Sequence, residues 1–138
     1  MLKTVKDIEE VVLPHNVRSD GDLVVAQQGK ELSFAPARLF TVRGIEGAVR
    51  GCHAHKRCIQ FLICVHGAIE VECDDGRDRR RIILDRGNKG LLIPPSIWGT
   101  ETYRTDGAVL AVLCDRLYEE DDYIRDYDQF LTWRRSGL

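Results

Sequence analysis

Two histidines separated by a single residue, His53 and His55, are the residues of this sequence best placed to do chemistry. On an extended strand, alternate side chains point to the same face, so the spacing predicts that both imidazoles are aimed at one site. Paired imidazoles serve either as metal ligands or as proton carriers, because imidazole gains and loses a proton near physiological pH. The residues around the pair decide between these two uses.

The spacing of the pair relative to Gln60 and Gly67 resembles the first motif of the cupin superfamily, in which a glutamate usually takes the place of Gln60. A cupin metal site typically needs three histidines and a carboxylate to form a stable open shell. No histidine follows His66 in the sequence, so the third imidazole is missing. We therefore expect no bound metal and interpret the pair as metal-free acid–base groups or, alternatively, as a vestigial metal site.

Short β-rich segments separated by turn residues run from residue 22 onward and must position these groups. Asp75-Gly76 and Asp106-Gly107 supply the positive-φ residues that β-hairpins favour. Regular short strands with such turns indicate an all-β sandwich or barrel formed by one domain, residues 1–138. The acidic and aromatic segment from Tyr118 to Trp133 is expected to pack on this barrel as short helical turns.

Composition excludes several classes of function. The net charge of −2 and the pI near 6.1 predict no attraction to nucleic acid or to an anionic membrane. No apolar run approaches the ~20 residues that cross a bilayer. Five cysteines without a C-x-x-C pair, together with a first segment that does not read as a signal peptide, predict reduced thiols in the cytoplasm.

Four parts of the sequence resemble a particular cupin branch, the WxcM-like sugar nucleotide 3,4-ketoisomerases that act on dTDP-4-keto-6-deoxy-D-glucose. The resemblance covers most of the chain and is carried by Arg38–Phe40, Arg50–Lys56 with Gln60, Ile93–Trp98, and Tyr118–Tyr127. It implies a cupin fold, that is, a jelly-roll, double-stranded β-helix barrel. It also implies a homodimer in which residues 1–26 form an arm exchanged between subunits.

The resemblance further implies a metal-independent isomerase that uses no cofactor. Such an enzyme would move the ketone of the sugar from C4 to C3, on the way to 3-amino-deoxysugars for surface glycans or natural products. His53 and His55 match the family's catalytic histidines. One would remove the proton at C3, and the pair would deliver a proton to C4 through an enediol. The candidate substrate-binding residues are Thr41, Arg43, Arg50, Lys56, Gln60 and Trp98.

Two residues depart from the family pattern. Thr41 replaces a common tyrosine and removes a phenol that could hold or protonate the sugar, whereas Gly99 replaces a common histidine after the tryptophan. Either change could alter the substrate, the C4 configuration of the product, or the rate. The alternatives left open are a dTDP-sugar epimerase of the same fold, a non-catalytic sugar-binding cupin and a metal-dependent cupin dioxygenase. The sequence does not identify which histidine is the base.

Overall fold

The computed structural model describes residues 2–137, which form mainly short antiparallel strands. The strands are β1 (Glu9–Val12), β2 (His15–Arg18), β3 (Gly21–Val24), β4 (Arg38–Gly44), β5 (Val49–His55), β6 (Gln60–His66), β7 (Ile69–Asp74), β8 (Arg79–Leu84), β9 (Lys89–Ile93), β10 (Trp98–Tyr103), β11 (Ala108–Cys114) and β12 (Tyr123–Ile124). The helical elements are two 3₁₀ turns, Val5–Asp7 and Glu120–Asp122, and one α-helix, α1 (Tyr127–Arg135).

Two five-stranded sheets make up most of the molecule. One has the order β1-β9-β6-β11-β4 and the other the order β12-β5-β10-β7-β8, while β2 and β3 form a separate hairpin. The predicted all-β class is confirmed. The predicted barrel is not closed, because no strand of one sheet is hydrogen-bonded to a strand of the other within residues 2–137.

The main hydrophobic core lies between the two sheets. It combines Leu62 and Leu91 of the first sheet with Val71 and Leu84 of the second, all of them buried. Strict alternation of buried and partly buried residues along β11 shows why the sequence forms a strand with one face in this core. The core therefore determines which side chains of each bordering strand point inward.

A β-bulge in β5 sets the direction of the residues before the histidines. His53 pairs with Gly99 and Gly51 pairs with Thr100, so Cys52 between them has no partner on β10. Gly51 and Cys52 both have positive φ angles, of 79° and 58°. Bulges of this kind re-aim side chains next to active sites. Here the extra residue places Arg50 on the same face as His53, although their separation by three residues would put them on opposite faces of a regular strand.

The C-terminal segment forms more regular structure than the sequence predicts. The expected helical turn is present at Glu120–Asp122, but Tyr123 and Ile124 then form β12, which pairs with His55 and Ala54 of β5. The nine-residue helix α1 follows. Its first turn is capped by Asp126, whose carboxylate accepts a hydrogen bond from a backbone N–H.

The N-terminal segment contacts the rest of the same chain only in part. β1 pairs with β9, whereas the β2–β3 hairpin pairs with no other strand of the described residues. The exchange of residues 1–26 between subunits stays a prediction, and Met1 of that arm lies outside the described residues. No helix within residues 2–137 has the length and hydropathy needed to cross a bilayer.

Gly90 of β9 tests the packing of the core. A methyl group at this position would overlap the buried ring of Phe61. We expect Gly90→Ala to lower the free energy of unfolding by about 1–3 kcal/mol, measured by urea denaturation. Gly87→Ala is the control, because a methyl group there would meet no atom of the described chain within 4 Å. Equal stability of the two variants would contradict the packing described for Phe61.

Candidate active site

A cavity of about 250 Å³ lies between the two sheets and is bordered by the first imidazole of the pair. Its apolar walls come from alternate residues of β4 and β11, including Phe40, Val42 and Leu110. Its polar lining consists of Arg38, Arg50, His53, Gln60, Glu101, Tyr103, Tyr123 and Arg125. Three guanidinium groups around one cavity favour an anionic ligand such as a phosphate or a diphosphate.

The two histidines lie together, as their spacing predicts. The ring centroids of His53 and His55 are 5.0 Å apart and the ring planes are nearly perpendicular. His53 is partly buried and borders the cavity, whereas His55 is only 5% exposed and lies behind it. The ring of Tyr123 contacts both, with centroid distances of 5.0 Å to His53 and 4.4 Å to His55. The pair therefore has a front member and a rear member.

The rear histidine is held by a buried carboxylate. His55 Nδ1 lies 2.8 Å from Asp122 Oδ2, and Asp122 is only 3% exposed. The other oxygen, Asp122 Oδ1, accepts a hydrogen bond of 2.6 Å from the backbone N–H of Arg57. Because a carboxylate only accepts hydrogen bonds, Nδ1 of His55 carries a proton and Nε2 is left as the nitrogen free to accept one.

Burial keeps both imidazoles neutral near pH 7. Loss of solvation, reinforced by the neighbouring His55, lowers the pKa of His53 to about 4. Burial also lowers the pKa of His55, and the hydrogen bond and charge of Asp122 oppose this change. A neutral imidazole at the cavity wall can take a proton from a bound ligand.

The C-terminal segment supplies site residues that the sequence analysis did not identify. Both terminal nitrogens of Arg38 lie 3.4–3.5 Å from the hydroxyl oxygen of Tyr123. The guanidinium of Arg125 lies over the Tyr123 ring, 4.2 Å from its centroid. The segment Tyr118–Tyr127 carried the family resemblance, but nothing in its local pattern shows that it contacts β5. The contact joins Asp122 to His55, which are 67 residues apart in the sequence.

Two of the predicted substrate-binding residues lie in the cavity with His53. Arg50 and Gln60 both line it. The Gln60 side chain also donates a weak hydrogen bond of 3.9 Å from Nε2 to Cys114 Sγ, which keeps its amide against the inner face of β11. The bulge at Cys52 accounts for the position of Arg50.

The structure does not bring the other four predicted substrate-binding residues to the cavity. Thr41 and Arg43 lie on the exposed face of β4. Phe40 packs against the core, and because side chains alternate along a strand, its neighbours point away from the core. Lys56 is exposed just after β5. Trp98 packs beneath α1, with its ring centroid 5.3 Å from that of Tyr127 and 5.7 Å from that of Phe130.

Glu101 of β10 is a cavity residue that the sequence analysis missed. It lines the cavity beside His53, and burial raises the pKa of its carboxyl to about 7. A glutamate within a strand reads as an exposed surface residue, and the sequence offered no signal to the contrary. Its neighbour across the sheet is Arg50, whose positive charge lowers this pKa and so opposes the effect of burial.

One group of potential metal ligands is present at the rear of the site. Ligand atoms of His55, Cys58 and Asp122 lie within 4.8 Å of one another. His55 and Asp122 are, however, already hydrogen-bonded to each other, and the thiol of Cys58 has a pKa raised by its hydrogen bond to Cys114 and by burial. A protonated thiol is a poor metal ligand, and metal independence stays a prediction.

The fold and the cavity together define a cupin-like protein with two neighbouring histidines at its site. Residues 4–135 match the family model described as FdtA: WxcM-like, C-terminal. The chain therefore belongs to this family, as the sequence motifs predict.

Individual relatives are similar over nearly the whole chain. A TDP-4-oxo-6-deoxy-alpha-D-glucose-3,4-oxoisomerase from Aneurinibacillus thermoaerophilus is 36% identical over 115 residues, which cover 83% of each protein. The crystal structure of a 3,4-ketoisomerase from Helicobacter canadensis is 35% identical, covers 94% of this chain and 98% of its own, and has a TM-score of 0.89. QdtA, a sugar 3,4-ketoisomerase from Thermoanaerobacterium thermosaccharolyticum solved with TDP, is 26% identical over 97% and 98% of the two chains, with a TM-score of 0.91.

Asp122 offers a direct test of the rear half of the site. Its carboxylate raises the pKa of His55, so we expect Asp122→Asn to shift the titration of His55 to lower pH. The measurement is an NMR pH titration of the imidazole signals. Asp121→Asn is the control, because Asp121 is an exposed neighbour that bonds to Arg57. A His55 titration that is the same in both variants would contradict the proposed hydrogen bond.

Proposed function

We propose that the protein is a sugar nucleotide 3,4-ketoisomerase that converts TDP-4-keto-6-deoxy-D-glucose into its 3-keto isomer. One observation carries the proposal: a neutral imidazole, His53, borders a cavity that also presents three guanidinium groups. The family supports it, since the relatives at 36% and 35% identity are by name an oxoisomerase of this sugar and a 3,4-ketoisomerase.

The cavity suits a ligand that joins an anionic group to a keto sugar. Arg38, Arg50 and Arg125 can neutralise the diphosphate, while the apolar walls of β4 and β11 can pack against a deoxygenated sugar carbon. QdtA was solved with TDP and, as a histidine-to-asparagine variant, with TDP-4-keto-6-deoxyglucose. A ligand of this class therefore fits both the charges of the cavity and the binding properties of a relative.

His53 is the better candidate for the base that removes the proton from C3. It borders the cavity and is neutral at pH values above its pKa of about 4. His55, in contrast, lies behind His53 and is hydrogen-bonded to Asp122. Once His53 has accepted the proton, the His55–Asp122 pair can stabilise the added charge. His53 then returns the proton to C4 of the enediol.

The reaction itself supplies the reason to expect no cofactor and no metal. As the ketone moves from C4 to C3, one carbon is oxidised and its neighbour is reduced, so no external oxidant or reductant is consumed. Proton transfer between adjacent carbons needs only a base and groups that stabilise the oxygen. His53 provides the base, and Arg50 and Gln60 lie in the same cavity to stabilise the enediolate.

An epimerase is the main alternative, and the position of Tyr123 argues against it. Inversion at a carbon requires an acid on the side of the sugar ring opposite the base. The Tyr123 ring instead lies against both histidines, 5.0 Å and 4.4 Å from their centroids. Because Tyr123 lies on the same side as the histidine base, the arrangement favours proton transfer between neighbouring carbons over inversion at one carbon.

We also propose that the enzyme is a cytoplasmic homodimer with exchanged N-terminal arms. The β2–β3 hairpin supports the dimer, since it exposes Val17 and Leu23, at 72% and 58% exposure, and pairs with no other described strand. A partner subunit would cover these side chains. The cytoplasmic location rests on the five unpaired cysteines of the described chain.

Substrate turnover in deuterated water tests the proposed reaction. Wild-type protein incubated with TDP-4-keto-6-deoxyglucose should give a 3-keto product with deuterium on carbon, detected by NMR. We expect His53→Asn to lower kcat by on the order of 10²–10⁴-fold, because the base is lost. His66→Asn is the control, since His66 is an exposed histidine at the end of β6. A C4 epimer as product, binding without exchange, or a fully active His53→Asn variant would each contradict the proposal.

The dimer is tested by sedimentation. We expect wild-type protein to sediment with twice the 15.7 kDa mass of the chain. Val17→Asp should shift the protein toward monomer, because it places a charge in the proposed interface. The control is Ile83→Asp, at an exposed apolar position of β8 in the second five-stranded sheet. A wild-type monomer at micromolar concentration would rule out the proposed assembly.

A further inference from the structure

We propose that Glu101 is a second acid–base residue of this site, which exchanges protons with the sugar oxygens at C3 and C4. The inference rests on the proposed ketoisomerase function and adds a residue to it. Glu101 lies on β10, directly across the sheet from Arg50 of β5.

Glu101 stands between two cavities. It lines the cavity of about 250 Å³ and also a much smaller one, of about 10 Å³, enclosed behind it. His53 and Gln60 likewise line both cavities, whereas His55 lines only the smaller one. Glu101 therefore borders the space for the substrate on one side and the small cavity lined by His55 on the other.

The two residues that carry the unpaired polar atoms of the site both line the smaller cavity. Among residues 2–137, the buried side-chain oxygens and nitrogens without a hydrogen-bond partner are Glu101 Oε2 and His55 Nε2. Buried polar groups are rarely left unpaired. The smaller cavity has about the volume that one water molecule needs, ~10–15 Å³. A water in this cavity that reached both atoms would pair them and connect Glu101 to the His55–Asp122 pair.

The backbone around the carboxyl is adapted to it. Gly51, with its φ angle of 79°, has no side chain at the point where Glu101 Oε2 lies, and a methyl group there would overlap this oxygen. The bulge at Cys52 thus makes room for the carboxyl as well as turning Arg50 inward.

The charges around Glu101 favour a carboxyl that changes protonation near neutral pH. Burial raises its pKa to about 7, and the charge of Arg50 counteracts this rise. Glu101 in turn helps burial to raise the pKa of Tyr103 and of Cys73 to about 12 each, so both stay protonated. The titratable and charged groups that face it are Arg50, His53 and His55 of β5, Cys58 before β6, Cys73 of β7, Tyr103 of β10, Tyr123 of β12, and Arg38 and Arg125 across the cavity.

The isomerisation needs such a group, because two oxygens change their protonation along with the two carbons. His53 removes the proton from C3 while protonated Glu101 gives its proton to the oxygen at C4, which yields the neutral enediol. The Glu101 carboxylate then takes the proton from the oxygen at C3 while protonated His53 gives its proton to C4. Both residues return to their starting states, and no proton or electron is gained or lost overall.

This scheme fixes the pH dependence. His53 must begin neutral, so kcat/KM should rise with pH through the pKa of His53, about 4. Glu101 must begin protonated, so kcat/KM should fall as the pH rises through the pKa of Glu101, about 7. The wild-type profile should therefore be bell-shaped, with its alkaline limb near pH 7.

The experiment compares Glu101→Gln and Glu101→Asp with wild type in kcat/KM against pH on TDP-4-keto-6-deoxyglucose. Glu101→Gln should lower kcat by on the order of 10²–10⁴-fold and remove the alkaline limb, because an amide neither gives nor takes a proton. Glu101→Asp keeps a titrating carboxyl and should retain the limb and more activity. A purely structural residue would give the reverse order, since glutamine preserves its shape. Glu72→Gln on β7 is the control, at a carboxylate paired with Arg81.

An infrared titration provides a readout that does not depend on turnover. In wild type, one component of the carboxylic-acid band should disappear with a midpoint near pH 7, and this component should be missing in Glu101→Gln. If this component is unchanged in Glu101→Gln, or the alkaline limb survives in that variant, the role of Glu101 is wrong although the ketoisomerase function stands. If wild type gives no 3-keto product, the proposed function fails and the role of Glu101 fails with it.

Discussion

The buried contact between Asp122 and His55 is the interaction on which the site depends. Asp122 lies in a C-terminal segment, yet its two carboxylate oxygens bond to the His55 ring and to the backbone after β5. A buried carboxylate is costly unless it is fully hydrogen-bonded, so this segment is stable only when it is docked on β5. Docking in turn forms β12 and brings Tyr123 and Arg125 to the cavity.

Exclusion of water gives the site its chemistry as well as its shape. The same burial lowers the pKa of His53 and raises that of Glu101, because in both cases the charged form loses its solvation. A histidine and a carboxyl that are both uncharged between about pH 4 and 7 can each exchange a proton with a neutral sugar. The guanidinium groups can hold an anionic part of the ligand while the reacting part lies beside these uncharged groups.

Strand alternation explains both what could be predicted from the sequence and what could not. The H-x-H spacing correctly places His53 and His55 together, since β5 is regular between them. Arg50 reaches the cavity only through the bulge at Cys52, which no local pattern indicates. The contact of His55 with Asp122, 67 residues away, was out of reach because the choice of partner depends on the whole set of buried surfaces. The family resemblance pointed to the right segments without showing which of their side chains face the cavity.

The two departures from the family pattern differ in their structural consequences. Alternation from the core residue Phe40 puts Thr41 on the exposed face of β4, so the loss of a tyrosine there leaves the cavity wall of this chain unchanged. Gly99 pairs with His53 and lines the smaller cavity, and a methyl group on it would meet no atom of the described chain within 4 Å. A histidine at that point would add a third titrating ring beside the pair. With Gly99 at that point, Glu101 is the β10 residue that supplies a titrating group to both cavities, which is the basis for proposing its carboxyl as the carrier of the oxygen protons.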